Sequence, residues 1–393
     1  MKRRQFLQVA VASAAMRVAG DAASAPTSER ESFRNRLPRF CWERVPPYLH
    51  FGKTEGPLSN AEIRFVAERC DLICLEKAHG IRALGSTEKG IAHDARRIKA
   101  VNPNAKVLFY WNTFLNYPLY DACREITQHP EWIFRDRNGN PIYKTGKLEQ
   151  YNLLEPAFRE WWAGIAGRAV TEYGCDGIFM DAVDQAKRPI WMRQGWGEGK
   201  EPQLTEAVID MMRRARSAMG ESALLLYNGL RSTAEDTTGD VYLPFADGAM
   251  VEHFGIFGSG EKEALQRDLE TIRRAAQGGK IVAVKGWPDP QFVFTNSEKM
   301  REPRERLIAE ARDKITFSLA CFLIAAEPYT YFAYAWGYRA DDGCLIDYPE
   351  LSRPLGPPQG PPDRDGWMYR RRFAHATVEV DLSERRASID WDG

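Results

Sequence analysis

Apolar residues in this chain fall in short runs. Between the runs lie longer stretches in which apolar positions recur every third or fourth residue. The runs predict strands at 39–45 (RFCWERV), 72–77 (LICLEK), 106–112 (KVLFYWN), 176–181 (DGIFMD), 223–229 (ALLLYNG), 247–254 (DGAMVEHF) and 280–287 (KIVAVKGW). An apolar segment near 318–326 supplies the eighth. The intervening periodicity predicts helices in SNAEIRFVAERC, GIAHDARRIKAVNP, PAFREWWAGIAGRAVTEYG, TEAVIDMMRRARSAMG and EKEALQRDLETIRRAAQGG. Ser59 and Asn60 read as N-cap signals and Gly278-Gly279 as a C-cap.

Strands alternating with helices predict a (β/α)8 TIM barrel over 36–340. An open doubly wound sheet is the alternative, but no Gly-x-Gly-x-x-Gly follows a strand. The step from the 223 strand to the 247 strand is short for a full helix, and 113–150 is a long loop of the kind that builds a cleft. Residues 341–393 change character, with a Pro/Gly-rich run followed by the alternating patterns FAHATVEVDL and RASIDW. They predict a small C-terminal β appendage packed on the barrel.

Residues 1–25 predict an export signal and not part of the fold: a basic start, a short apolar stretch from Phe6 to Met16 and small residues around Ala22–Ala25. Arg3-Arg4 followed by Gln5-Phe6-Leu7 resembles the twin-arginine signature, so the expected location is periplasmic or secreted. The apolar stretch is too short for a stable membrane anchor. Removing it takes away four positive charges and one negative from 54 of each sign, leaving about −3. A near-neutral chain gives no support to nucleic-acid binding. Seven scattered cysteines without a Cys-x-x-Cys predict a thiol protein with at most one incidental disulfide. Six unclustered histidines predict no metal site, and no cofactor is expected.

Two strands share a pattern: Asp-Gly, three apolar residues, then an acid. It runs Asp176 to Asp181 and again Asp247 to Glu252. Side chains alternate along a strand, so Phe179 shares a face with Asp181 and Met250 with Glu252. If those faces point inward, both acids stand at the C-terminal rim, where barrel enzymes carry their sites. Two carboxylates across a barrel mouth are the minimum for glycoside hydrolysis. Asp181 is the expected nucleophile. Glu252, beside Met250, His253 and Phe254, is the expected acid/base, its pKa raised by an apolar setting.

Other strand ends supply candidate substrate contacts. Trp111 and Trp287 could stack on sugars, while Asn112 and Asn228 could bond hydroxyls. Glu76, Lys285 and His253 are further candidates, and Asp184 is a cap or supporting group near the substrate. Tyr331, Tyr334 and Trp336 in YTYFAYAWGY read as core.

The run from YNLLEPAFREWWAGIAGRAVTEYGCDGIFMDAVD through LYNG and DGAMVEHFG to WMYRRRFAHATVEVDL resembles the group called hypothetical glycosyl hydrolase family fifteen, over residues 38–391. The resemblance implies a carbohydrate-active barrel, with the fourth-strand Asp181 as nucleophile and the sixth-strand Glu252 as proton donor. The implied partner is an oligo- or polysaccharide; no oligomeric state is predicted. Two competing readings stay open. One is a non-catalytic carbohydrate-binding barrel, and the other a metal-assisted hydrolase using Asp181, Asp184 and His253.

Overall fold

The computed structural model describes residues 36–144, 146–230 and 239–392; the expected export signal lies outside the described residues. Eight strands form one parallel sheet in chain order. They are β1 (Tyr48–Phe51), β2 (Leu72–Leu75), β3 (Lys106–Asn112), β4 (Gly177–Asp181), β5 (Leu224–Asn228), β6 (Gly248–Val251), β7 (Ile281–Gly286) and β8 (Thr330–Tyr334). Each pairs with the next, and single parallel bridges from Pro47 to Phe332 and from Gly52 to Arg339 close the ring. The chain is a (β/α)8 barrel.

Among the described residues, seven helices of ten or more residues surround it: α1 (Asn60–Arg69), α2 (Thr87–Val101), α3 (Pro156–Thr171), α4 (Glu201–Met219), α5 (Lys262–Gln277), α6 (Arg304–Asp313) and α7 (Ile315–Ala325). Local chemistry sets their ends. Ser59 and Glu62 form a capping box at the start of α1, and α5 stops where Gly279 turns left-handed at φ +81°. Between β5 and β6 the described residues hold only the 3-10 turns Gly239–Phe245, as the short spacing predicted.

Two predicted strands are elsewhere. Residues 39–45 are irregular, and β1 begins later, at Tyr48. Arg39, Glu43 and Arg44 break the apolar run, and Phe40 packs edge-on against Trp42 and Tyr331 in place of a strand partner. The apolar segment 318–326 is the helix α7, and β8 follows it. A run apolar on every side fits a buried strand or a helix buried all round, and only its surroundings decide which.

Those surroundings include the C-terminal sheet. Strands β9 (Asp363–Asp365), β10 (Met368–Arg372), β11 (Ala376–Asp381) and β12 (Arg386–Trp391) form an antiparallel meander against α7. All of Ser318–Ala325 is buried, with the barrel on one side and this sheet on the other. Leu319 is fully buried, and Leu319→Ala would cost about 2–5 kcal/mol. Arg371 of β10 acts as the rivet. Its guanidinium donates to the carbonyls of Leu323, Ile324 and Ala326 at the end of α7, where the helix dipole favours a cation. Pro38–Gly393 is one compact unit that includes this sheet.

Alternation along the strands sorts the barrel's two faces. Phe109, Trp111, Ile178 and Met180 point outward into the apolar layer under the helices. Tyr110 and Phe179 point inward, where Phe179 meets the His50 ring at 4.7 Å and the Tyr110 ring at 6.3 Å. The inward set ends in polar groups at the C-terminal rim.

Candidate active site

The two Asp-Gly strands are built alike from the bottom up. Asp176 and Asp247 each accept a main-chain N–H from the preceding strand, Val107 at 2.9 Å and Leu225 at 2.8 Å. Each is paired with a cation, Lys99 for Asp176 and Arg216 for Asp247. The glycines permit the approach of the following strand. A Cβ at Gly177 would lie 1.9 Å from the Leu224 carbonyl oxygen, and one at Gly248 would lie 2.2 Å from that of Ile281. From these fixed starts, period-two alternation carries Asp181 and Glu252 onto the inner face at the opposite end.

There the two acids meet through one nitrogen. Asn228 Nδ2 donates to Asp181 Oδ1 at 2.9 Å and to Glu252 Oε2 at 2.8 Å. The two oxygens can therefore be no farther apart than those bonds laid end to end, about 5.7 Å. The other oxygens are held as well. Asp181 Oδ2 accepts from the Tyr110 hydroxyl and, at 2.9 Å, from Asn112 Nδ2. Glu252 Oε1 accepts from the Tyr338 hydroxyl at 2.7 Å, and Trp287 Nε1 fixes the Glu252 main-chain carbonyl at 2.8 Å. Thr113 binds the Asp181 carbonyl through both N–H and hydroxyl, and the chain turns away through Ala182 at φ +65°. A left-handed alanine beside a candidate nucleophile is the strained backbone often found at reactive sites.

Charge at the site differs from the sequence expectation. Burial pushes the Glu252 carboxyl up, but the nearby His253 imidazole, the Asn228 and Tyr338 bonds and His50 outweigh it, so its pKa is lowered. The expected rise in an apolar setting is wrong because Met250 is buried below, while His253, Asn228 and Tyr338 surround the carboxylate. Beside Asp181 lies a second, charge-paired network. Glu76 binds His50 Nε2 at 3.0 Å and Lys77 Nζ at 2.7 Å, and the Tyr48 hydroxyl bonds the other His50 nitrogen. Burial alone would raise the Glu76 pKa; Lys77 first and His50 second hold it down to about 2. Lys77 in turn lies 4.4 Å above the Tyr110 ring.

A family model described as hypothetical glycosyl hydrolase family 15 matches residues 99–377. The chain belongs to that family. A search of curated proteins finds no match. Among solved structures, the glycoside hydrolase domain of PelA from Pseudomonas aeruginosa is 14% identical, covering 76% of this chain and 96% of its own, with a TM-score of 0.48. The α-galactosidase TtGalA from Thermus thermophilus is 19% identical, covering 92% and 71%, with a TM-score of 0.47. Ega3 from Aspergillus fumigatus is 13% identical, covering 64% and 81%, with a TM-score of 0.39.

Within this family 15 barrel, the residues nominated from sequence divide. Asp181, Glu252, Asn228 and His253 come together, all partly exposed. Asp184 is also partly exposed, three residues past Asp181 in the loop after β4, close to Gly229. The rest do not present themselves to a substrate. Trp111 points outward, stacked on Trp162 and against Tyr120, and is core. Asn112 is buried, with its amide spent on Tyr110, Asp181, Phe114 and Leu115, so it positions Asp181. Glu76 is buried, with both oxygens bonded. Lys285 is buried with its ammonium on the Ala335 carbonyl at 2.6 Å, and burial lowers its pKa to about 8. Trp287 is 2% exposed and holds Glu252 in place of offering a stacking face.

Four residues were missed. Tyr110, Tyr338 and His50 belong to the network, and Lys144 is carried toward the acids by the hairpin Tyr143–Lys144/Leu148–Glu149. Lys144 donates to Gln185 at 2.8 Å; burial and Arg188 lower its pKa, while Asp181, Glu252 and Asp184 act in the opposite direction. Tyr338 closes the YTYFAYAWGY run, whose Tyr331, Tyr334 and Trp336 are core as read. All seven cysteines are free thiols, and no group of three His, Cys, Asp or Glu among the described residues is placed to hold a metal. No helix among the described residues is long and apolar enough to cross a membrane.

Proposed function

We propose that this chain is an exported, retaining glycoside hydrolase that cleaves an O-glycosidic bond in an oligo- or polysaccharide, with Asp181 as nucleophile and Glu252 as acid and base. The observation that carries the proposal is the single Asn228 nitrogen shared by the two carboxylates. Nearest oxygens no more than about 5.7 Å apart favour the carboxyl spacing of retaining enzymes, about 5–5.5 Å. Inverting enzymes need about 6.5–9.5 Å to admit a water between their acids.

The chemistry follows from the positions. Asp181 attacks the anomeric carbon as the C–O bond to the leaving group breaks, and the leaving oxygen takes the proton of Glu252. A glycosyl ester on Asp181 and an ionised Glu252 result. Water then yields a proton to Glu252 and attacks the same carbon, which frees Asp181. Tyr110, Asn112 and Asn228 point neutral donors at Asp181, so it is oriented without a cation bonded to it. The residues at the N-terminus provide export through the twin-arginine-like route.

Sugar release should be screened across aryl glycosides and oligosaccharides, with NMR following the anomeric configuration of the first product. The expected result is hydrolysis with retention, abolished in Asp181→Asn without loss of glycan binding. Binding without turnover in the wild type favours the non-catalytic reading, and an inverted first product overturns the nucleophile assignment.

A further inference from the structure

The loop after β7, the start of α6 and the segment after β8 line a cleft of about 380 Å³. Its lining includes Phe294, Met300, Trp336, Arg304, Arg339 and Asp342. Phe294 is 44% exposed. It is also fixed. Its main-chain N–H bonds the Trp336 carbonyl at 2.7 Å, and its ring packs on Trp287 at 6.2 Å and Tyr338 at 6.0 Å. Trp287 and Tyr338 are the two side chains that bond Glu252. Neither acid lines the cleft itself, and Phe294 is what joins it to Trp287 and Tyr338.

We infer that this cleft is the subsite for the leaving-group sugars, with Phe294 as the stacking platform for the first of them. The inference rests on the hydrolase reading, through Glu252 as the proton donor. A proton donor stands beside the departing oxygen, so the sugars carried by that oxygen extend toward the Glu252 side. A rigid, exposed aromatic face next to that point suits the apolar face of a sugar ring. Arg304 and Arg339, both exposed, line the cleft and supply donors suited to sugar hydroxyls, and Arg304 is steadied by a bond to the Asp341 carbonyl. The Asp342 carboxyl accepts the N–H groups of Tyr338 and Arg339 at 3.2 and 3.0 Å, which ties the cleft wall to the Glu252 holder. The substrate class is then an oligosaccharide or polysaccharide cut with sugar on the leaving side, and not a glycoside of a small aglycone.

The test compares two leaving groups on one donor sugar. The probes are linear tetrasaccharides and the α- and β-glycosyl fluorides of glucose, galactose and galactosamine. Fluoride departs without touching the cleft. For the sugar that is cleaved, Phe294→Ala should lower the ratio of kcat/KM for the tetrasaccharide to that for the fluoride by about tenfold. Phe294→Tyr, which keeps the ring, should restore the ratio. An unchanged ratio in Phe294→Ala overturns the subsite while leaving the hydrolase reading intact. If the wild type cleaves none of the probes, the hydrolase reading and the subsite fall together.

Discussion

The two ends of β4 and β6 carry the same kind of residue under opposite conditions. At the bottom, Asp176 and Asp247 are each paired with a lysine or arginine and with a strand N–H. At the top, Asp181 and Glu252 are bonded by Tyr110, Asn112, Asn228 and Tyr338, all neutral; among the described residues no lysine or arginine pairs with either, and the one ionisable cation partner is the His253 imidazole, 3.4 Å from Glu252. A cation bonded to a carboxylate stabilises its charge for the sake of the fold. Neutral donors orient the carboxylate and leave most of its charge available for a developing positive centre. One chain thus uses its acids structurally at one end of a strand and keeps them chemically available at the other. Glu76 shows that height alone does not decide, since it lies at the upper end but is neutralised by Lys77 and His50.

Substitutions at each end should separate activity from stability. Asp181→Asn should reduce hydrolysis by about 10³-fold or more, in the range expected for loss of a nucleophile or acid. Thermal unfolding should show its stability unchanged or slightly raised, because two like charges held close together oppose each other. Asp247→Asn should do the reverse. It leaves Arg216 without its carboxylate partner and should cost about 3 kcal/mol in denaturant unfolding, with kcat per folded molecule retained.

Asn228→Ala tests the bridge itself. A small displacement of either acid should reduce kcat by about 10²-fold. It should also move the pH profile in a defined direction. The Glu252 pKa is lowered, so its acid form is depleted as pH rises, and kcat/KM should fall from an optimum below neutrality. Removing the Asn228 donor raises the Glu252 pKa, so the alkaline limb should shift to higher pH. A limb that stays in place would detach Glu252 from the acid role.

The smallest effect belongs to Glu76. Its pKa drops from an ordinary value of about 4.3 in the unfolded chain to about 2 in the fold. That contributes stability fully present above about pH 4.3 and lost as pH falls through about 2. Partial exposure of Lys77 screens the pair, leaving about 2 kcal/mol. Acid unfolding of Glu76→Gln, compared with wild type, should show a shallower decline across that interval.

Much of this was legible in the sequence because barrel strands state their own period. The 106–112 strand matches its predicted bounds, and the repeated Asp-Gly pattern placed both candidate acids on the inner rim. What failed was local context. The 318–326 run became α7 because a second sheet covers its far side, and no pattern within the run itself reveals that cover. Trp111 could have been rejected from sequence, since it adjoins Asn112 and neighbours on a strand face opposite ways. The same parity would have brought in Tyr110, two residues before Asn112. His50 and Tyr338 carry no such signal, because they reach the site from β1 and from the loop after β8, far apart along the chain.

The central claim is that Asp181 forms a bond to sugar while Glu252 does not. Incubation with a panel of 2-deoxy-2-fluoroglycosyl fluorides, followed by mass spectrometry of the intact protein and its peptides, tests this directly. The account predicts one glycosyl adduct, confined to the peptide that contains Asp181 and absent in Asp181→Asn. An adduct on Glu252, or turnover of the same fluorides with an inverted product and no adduct, would contradict it.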